Sequence, residues 1–150
     1  MRLVVQRVSS SSVTVDNQIV GEIGKGIMIL VGFETEDTIE DLEWAAKKVS
    51  QLRIFDDENG VMNLSLNQVG GEVLVISQFT LFASTKKGNR PSYIYAATPD
   101  IAIPLYEELK KILAQYTENG VKCGIFGADM KVALVNDGPV TIIIDTKNKQ

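Results

Sequence analysis

GIMILVGF, residues Gly26–Phe33, is the stretch from which the fold is read. It is a continuous apolar run, and such a run reads as a central strand buried on both faces. A strand covered on both sides needs neighbours in its sheet and layers above and below it. On its N-terminal side, Arg2–Val8 reads as a strand, and Val13–Val15 and Gln18–Ile23 flank Asp16-Asn17, a two-residue hairpin turn. On its C-terminal side, Asp37 or Thr38 caps a helix, with Glu40 or Asp41 three residues on. Ile39, Leu42, Ala46 and Val49 share one face of that helix, which runs to about Leu52.

Arg53–Phe55 and Val61–Leu64 surround the acidic loop Asp56–Gly60, which reads as a hairpin-like turn. Its spacing does not fit a calcium-binding EF-hand. Gly70-Gly71 marks a further turn, and Glu72–Phe82 reads as a strand, apolar until Ser77. Residues 83–98 form a long polar loop, a kind of segment that is often functional in compact domains. Thr98-Pro99-Asp100 then looks like a cap with proline at the first helical position. The helix runs to about Tyr116 and buries Leu105, Leu109, Ile112 and Leu113. Pro104 removes a hydrogen bond, which predicts a kink or a start near Pro104. Asn119-Gly120 ends the helix, and Val121–Phe126, Lys131–Asn136 and Val140–Thr146 close the fold as strands. The expectation is an α/β fold in which residues 1–150 form a single compact domain, with a largely antiparallel, barrel-like sheet and two principal helices.

Composition narrows the chemistry. The chain has no histidine and one cysteine, Cys123. A Ser-His-Asp or Cys-His site is therefore impossible, and so is a histidine-ligated zinc. Proton transfers must use a carboxylate, a lysine, a tyrosine, water or the substrate. No metal or cofactor is expected. Met1-Arg2-Leu3-Val4-Val5 soon meets Gln6 and Arg7, so no secretory leader is expected, and no apolar stretch is long enough to span a bilayer. Cytoplasmic localisation fits, with no membrane partner. The net charge of −4 argues against a nucleic-acid binder, but six acids lie within Glu34–Glu43. Outside that stretch, 15 basic residues face 13 of the 19 acidic ones, so a local basic face is possible, with Lys86, Lys87 and Arg90 its best candidates. Read alone, these three belong to a solvated lysine-rich loop.

Two segments break the hydrophobic pattern. Ser77-Gln78-Phe79-Thr80 follows directly on Val73-Leu74-Val75-Ile76, so polar groups gather at the end of a core strand. Such a strand either builds a site on a rigid element or simply emerges into water. Asn136-Asp137-Gly138-Pro139-Val140-Thr141 interrupts two hydrophobic strands. Asp, Gly and Pro are turn formers. Pro139 has no backbone donor, so the loop offers carbonyls, which suits an ammonium group. By base rate the Gly138–Pro139 bond is trans.

SQFTL at Ser77–Leu81 and NDGPVT at Asn136–Thr141 resemble the two signature motifs of the D-aminoacyl-tRNA deacylases, the D-tyrosyl-tRNA deacylase family. VVQRV near the start, KKGNRPSY at Lys86–Tyr93 and GIFGADMKV at Gly124–Val132 resemble the same family, so the likeness runs the length of the chain. It implies a homodimeric hydrolase of the ester between a D-amino acid and the terminal adenosine of tRNA. It also implies a cis Gly138–Pro139 bond in a loop that enters the partner's active site. Arg7 resembles the arginine that holds this loop; otherwise it is a strand-edge arginine paired with an acid.

The resemblance assigns Gln78, Phe79 and Thr80 to catalysis, and Ser77, Gly138, Pro139, Arg7 and Met130 to substrate binding. The 2′-hydroxyl of the terminal ribose would activate or position water, which suits a chain without histidine. Amides near Phe79 and Thr80 would hold the oxyanion, where one donor is typically worth ~10²–10³ in rate. Thr80 as a covalent nucleophile is the rival mechanism, without an evident base to activate it. Exclusion of L side chains against Gly138-Pro139 would leave glycyl-tRNA as a substrate. Lys86, Lys87 and Arg90 would contact tRNA phosphates, and no DNA is expected as a partner. Other classes are a non-catalytic aminoacyl-tRNA or RNA-binding module, a small-molecule-binding dimer, and a related editor of L-alanyl-tRNA.

Overall fold

The structure, a computed structural model, describes all of residues 1–150. In chain order the elements are β1 (Arg2–Val15), β2 (Gln18–Ile23), β3 (Gly26–Gly32), α1 (Ile39–Gln51), β4 (Phe55–Asp56), β5 (Met62–Leu64), β6 (Glu72–Ser77), α2 (Pro99–Tyr116), β7 (Val121–Cys123) and β8 (Lys131–Asp145). Short 3-10 turns occupy Asn67–Val69 and Phe79–Phe82.

Strand β3 separates two apolar compartments, because successive side chains of a strand point to opposite faces. Ile27, Ile29 and Val31 pack with Leu42, Ala45, Ala46 and Val49 of α1 and with Ala102, Tyr106, Leu109, Ile112 and Leu113 of α2. Met28 turns the other way, into a second cluster with Val8, Val13, Ile23, Leu74 and Ile76, lined by Leu30, Met130, Val132 and Leu134. Strand β6 repeats the division, with Val73 and Val75 in the first compartment and Leu74 and Ile76 in the second. Burying a side chain of this size contributes about 1.5–3 kcal/mol, so each inward residue of this double-sided pair of strands stabilises the fold.

The sheet follows the order β2-β1-β3-β6-β7, with β8 on the other edge of β1. It curls until β2 approaches β7: a Cβ built on Gly21 would stand 2.9 Å from the Cys123 carbonyl oxygen, so a side chain there would pry the two strands apart. The barrel-like shape is as expected, but the sheet is mixed rather than largely antiparallel. β1 runs antiparallel to β2, β3 and β8, whereas β3–β6 and β6–β7 are parallel. The reason is the two helices. Each lies in a crossover, α1 between β3 and β6 and α2 between β6 and β7, and a helical crossover returns the chain to run parallel.

Several boundaries differ from the sequence reading. Arg2–Val15 is one long strand, and its Asp16-Asn17 turn has φ of 49° and 62°, the left-handed pair that a tight hairpin requires. The strand expected over Glu72–Phe82 stops at Ser77. Ser77 is the last residue in register with β3, opposite Val31, and the Gln78 N–H donates to the Val31 carbonyl at 2.7 Å before the chain turns. Helix α2 starts at Pro99, not at Pro104, which sits exposed inside it. Ile39 is exposed, and Ala45 takes the inward place on α1. In the acidic hairpin, the Asp57 carboxylate accepts from the Asn59 and Val61 amides, 2.9 and 3.1 Å away, which makes it a turn.

The acidic stretch Glu34–Glu43 is partly internal. Asp37 accepts from the buried α-ammonium of Met1, which also donates to Thr146 at 3.0 Å and Glu34 at 3.3 Å. Thr38 and Asp41 form a reciprocal capping box at the start of α1. Lys147 closes onto Asp41 at 2.6 Å. Burial alone would raise the Asp41 carboxyl, but hydrogen bonds from Lys147 and Thr38 and the Lys147 charge outweigh it and hold it near about 2, against an ordinary 3.8. A lowered folded value means that the ionised form contributes stability, fully present above pH 3.8 and lost as the pH falls through about 2. Replacement Asp41→Asn should lower stability at neutral pH by about 1–2 kcal/mol, or about 2–8 °C in Tm, and flatten the acid limb of the stability curve. Thermal unfolding across the acid range tests this; an unchanged acid limb would count against it.

Candidate active site

A cavity of about 580 Å³ opens where the parallel strands β3 and β6 end. The carboxyl ends of parallel strands are the usual place for a ligand crevice in α/β folds. Its walls are Val31–Phe33 at the end of β3, Ile76–Phe79 at the end of β6, Tyr93, the head of α2 at Thr98 and Pro99, and the Phe126–Met130 segment before β8. Gly32 allows the two strand ends to meet, since a Cβ there would lie 2.8 Å from the Gln78 carbonyl oxygen. Helix α2 is fixed behind the cavity by Tyr106. Its hydroxyl donates to the Val75 carbonyl at 3.2 Å, its ring packs on Phe126 at 5.8 Å, and burial pushes its phenol well above the ordinary value.

Of the residues singled out by sequence, Ser77, Gln78, Phe79 and Met130 line the cavity. Thr80 does not: it lies one residue beyond, half-buried, and its hydroxyl accepts from the Gln78 side-chain amide. Phe79 and Thr80 open a 3-10 turn, where the first amides have no partner within the turn. The lining contains one carboxylate, Asp129, tied to Lys131 at 3.1 Å, and one phenol, Tyr93. The Asp129 side chain is 86% exposed, which argues against a base held in place on the substrate.

The second segment sits elsewhere. β8 pairs with β1 on both sides of it, Gln6 opposite Thr141 and Val8 opposite Asn136. Residues 137–140 therefore bulge out opposite the single residue Arg7, so Lys131–Asp145 is one interrupted strand where the sequence suggests two. Asn136 frames the bulge, accepting from the Val140 amide at 2.8 Å and donating to the Thr141 hydroxyl at 3.1 Å. The Gly138–Pro139 bond is cis, against the base rate. Gly138 and Pro139 are exposed and do not line the cavity of their own chain.

Arg7 is buried beneath the bulge, and its guanidinium binds two backbone carbonyls from separate segments. Nε donates to the Asp137 carbonyl at 2.7 Å, and Nη1 donates to the Ile54 carbonyl at 2.6 Å. Asp56 supplies the counter-charge at 3.3 Å. Lys86, Lys87 and Arg90 are exposed outside the cavity, on a loop whose base is closed by paired backbone hydrogen bonds between Ser84 and Ser92 of 2.7 and 3.0 Å. Sequence reasoning placed Val31–Phe33 in a strand and Thr98-Pro99 at a helix start but gave neither a part in the site. These residues are apolar or small, and no polar signal marks them. Phe126 and Tyr93 fall inside matched motifs, but only the folded chain places them on the cavity wall.

A family model described as D-Tyr-tRNA(Tyr) deacylase matches residues 4–145. The chain belongs to this family. Proteins named D-aminoacyl-tRNA deacylase from Parabacteroides distasonis and Bacteroides thetaiotaomicron are 60% and 62% identical to it, each over 150 residues and all of both chains. A solved structure described as a c-Myc DNA unwinding element binding protein superposes with a TM-score of 0.91 at 39% identity, covering 97% of this chain and 98% of that one. A probable eukaryotic D-amino acid tRNA deacylase shares the fold, with a TM-score of 0.82 at 18% identity, covering 95% of this chain and 97% of that one.

Within this deacylase-family chain, Arg7 generates a direct test. An ammonium group cannot span the divergent carbonyls that the planar guanidinium serves. Arg7→Lys should leave one of them unpaired and cost about 1–3 kcal/mol, read from the urea midpoint. A midpoint equal to that of the unaltered chain would show that the fork is not needed.

Proposed function

We propose that this chain hydrolyses the ester of D-aminoacyl-tRNA, releasing tRNA and the free D-amino acid. What carries the reading is that Ser77, Gln78 and Phe79 line a cavity at the end of β6 in a chain at least 57% identical, end to end, to proteins named D-aminoacyl-tRNA deacylases. Water adds to the ester carbonyl, the bond to the ribose oxygen breaks, and that oxygen takes up the proton. The chain offers no histidine for the transfer, so the 2′-hydroxyl of the terminal ribose activates or positions the water. Ser77, Gln78, Phe79 and Met130 hold the adenosine and the ester, and the Phe79 and Thr80 amides take the developing oxyanion. Thr80 has no chemical role of its own.

The acting unit is a homodimer. Gly138 and Pro139 carry the carbonyls suited to the substrate's α-ammonium, yet they stand outside the cavity of their own chain, so they serve the partner's site. The far edge of β8 is unpaired, with Val135 and Ile143 exposed along the strand, which supports a subunit contact there. Arg7 holds the loop that crosses over. Residues 1–150 act as one deacylase domain. No helix is long and apolar enough to cross a membrane, and a tRNA substrate places the work in the cytoplasm.

Deacylation of D-Tyr-, L-Tyr- and glycyl-tRNA tests the reading. The D-Tyr and glycyl esters should turn over and the L-Tyr ester should persist, with the protein sedimenting as a dimer. Thr80→Ala should keep most of kcat, whereas losing a true nucleophile removes on the order of 10⁶. A trapped acyl-enzyme would refute this mechanism, and tight binding without turnover would point to an aminoacyl-tRNA-binding module. Replacing Lys86, Lys87 and Arg90 by alanine should weaken tRNA binding and reduce its salt slope by roughly one for each phosphate no longer neutralised. An unaltered slope would remove the loop from the interface.

A further inference from the structure

The turn Tyr93-Ile94-Tyr95-Ala96 presents residues that a turn ordinarily avoids. The Ala96 amide donates to the Tyr93 carbonyl at 3.0 Å, so Ile94 and Tyr95 occupy the two central positions. Gly, Pro, Asn, Asp and Ser dominate such positions. Here both are large and apolar, with Ile94 78% and Tyr95 61% exposed. The turn is pinned on both sides, by the Ser84–Ser92 pair before it and by the Ala97 amide, which donates to the Phe33 carbonyl at 2.9 Å. Tyr93 and Ala96 line the cavity while Ile94 and Tyr95 do not, so the same turn shows one side to the cavity and the other to solvent. The aromatic contact at this rim is the edge-to-face pair Phe79–Tyr93, 5.0 Å between centroids, and Tyr95 takes no part in it.

Immediately before this turn come Lys86, Lys87 and Arg90, exposed cations in a chain of net charge −4. None of them pairs with a carboxylate. An exposed aromatic ring and unpaired cations in one stretch of chain are the combination that binds single-stranded nucleic acid, with the ring stacking a base and the cations taking phosphates. We propose that Tyr95, flanked by Ile94, is a stacking platform for an unpaired base that precedes the terminal adenosine in the 3′ single strand of the substrate. The proposal rests on the deacylase reading and adds a subsite outside the cavity. It predicts that the enzyme draws affinity from nucleotides that take no part in the reaction.

Two substrates separate the subsite from the cavity: D-Tyr-tRNA and 3′-O-D-tyrosyl-adenosine, which lacks the preceding nucleotides. For Tyr95→Ala, the ratio of kcat/KM on tRNA to that on the adenosine ester should fall by roughly five- to a hundredfold, the range for loss of one stacked base. Tyr95→Phe should restore it, because the ring stacks and the hydroxyl does not. Fluorescence anisotropy with a short single-stranded RNA ending in adenosine should show the same order, wild type and Phe above Ala. An unchanged ratio, or an equal loss on both substrates, would overturn the proposal. So would dissociation of the sedimenting species in Tyr95→Ala, which would make the turn a contact between copies. If the wild type cleaves neither ester, the deacylase reading fails; the anisotropy series then decides the platform alone, with equal binding by Tyr95→Ala rejecting it.

Discussion

Burial of β3 and β6 on both faces is the constraint from which the rest of the molecule follows. Two adjacent parallel strands with apolar side chains on either side cannot sit at a surface. They require α1 and α2 over one face and the curled sheet over the other, as the two separate core clusters show. Parallel pairing in turn requires both crossovers to travel the length of the sheet. The ends of the two strands are thereby brought side by side, at Val31–Gly32 and at the polar Ser77–Gln78, and the cavity is the space left beyond them. The position of the site is set largely by core packing, including residues such as Ile29 and Val75 that do not line it.

The division of labour between the motifs is also a matter of strand geometry. Ser77 ends a buried strand, and Gln78 and Phe79 follow it directly, with the Gln78 amide tied to the Val31 carbonyl of the neighbouring strand. Asn136–Thr141 instead leave the β1–β8 pairing, opposite Arg7. A bulge needs internal hydrogen bonds to hold a shape, and Asn136 and Arg7 supply them. One segment is thus a fixed wall, and the other is a projection with its own support.

Much of this was legible in the sequence, for identifiable reasons. The apolar run at Gly26–Phe33, the Thr38/Asp41 cap and the Asp16-Asn17 turn are local signals, and local physics decides them. What was not legible depended on partners distant in sequence. Parallel pairing of β3 with β6 is invisible from either strand alone. The end of β6 at Ser77 is set by where β3 stops alongside it, not by its own residues, so the apolar Phe79, Leu81 and Phe82 read as more strand. Ile39 fits the helical stripe by spacing yet faces water, while Ala45 is buried in the larger core cluster, which residues of both helices share. On the site, polarity marked Ser77–Thr80 and the turn formers marked Gly138-Pro139. The apolar walls carried no mark, since an alanine or valine beside a ligand is the same in sequence as one in the core.

Arg7 lies under a loop that, in the proposed dimer, serves the neighbouring subunit's site. The support for one pocket is then encoded in the chain that does not own it. A subunit crippled at Ser77 and a subunit crippled at Arg7 fail for different reasons and in different places. Co-assembled, the first still lends an intact loop to the second, whose own cavity is whole. In that proposed dimer one of the two pockets of such a mixed pair would be complete, so two inactive variants would rescue each other when expressed together, while either alone would remain silent.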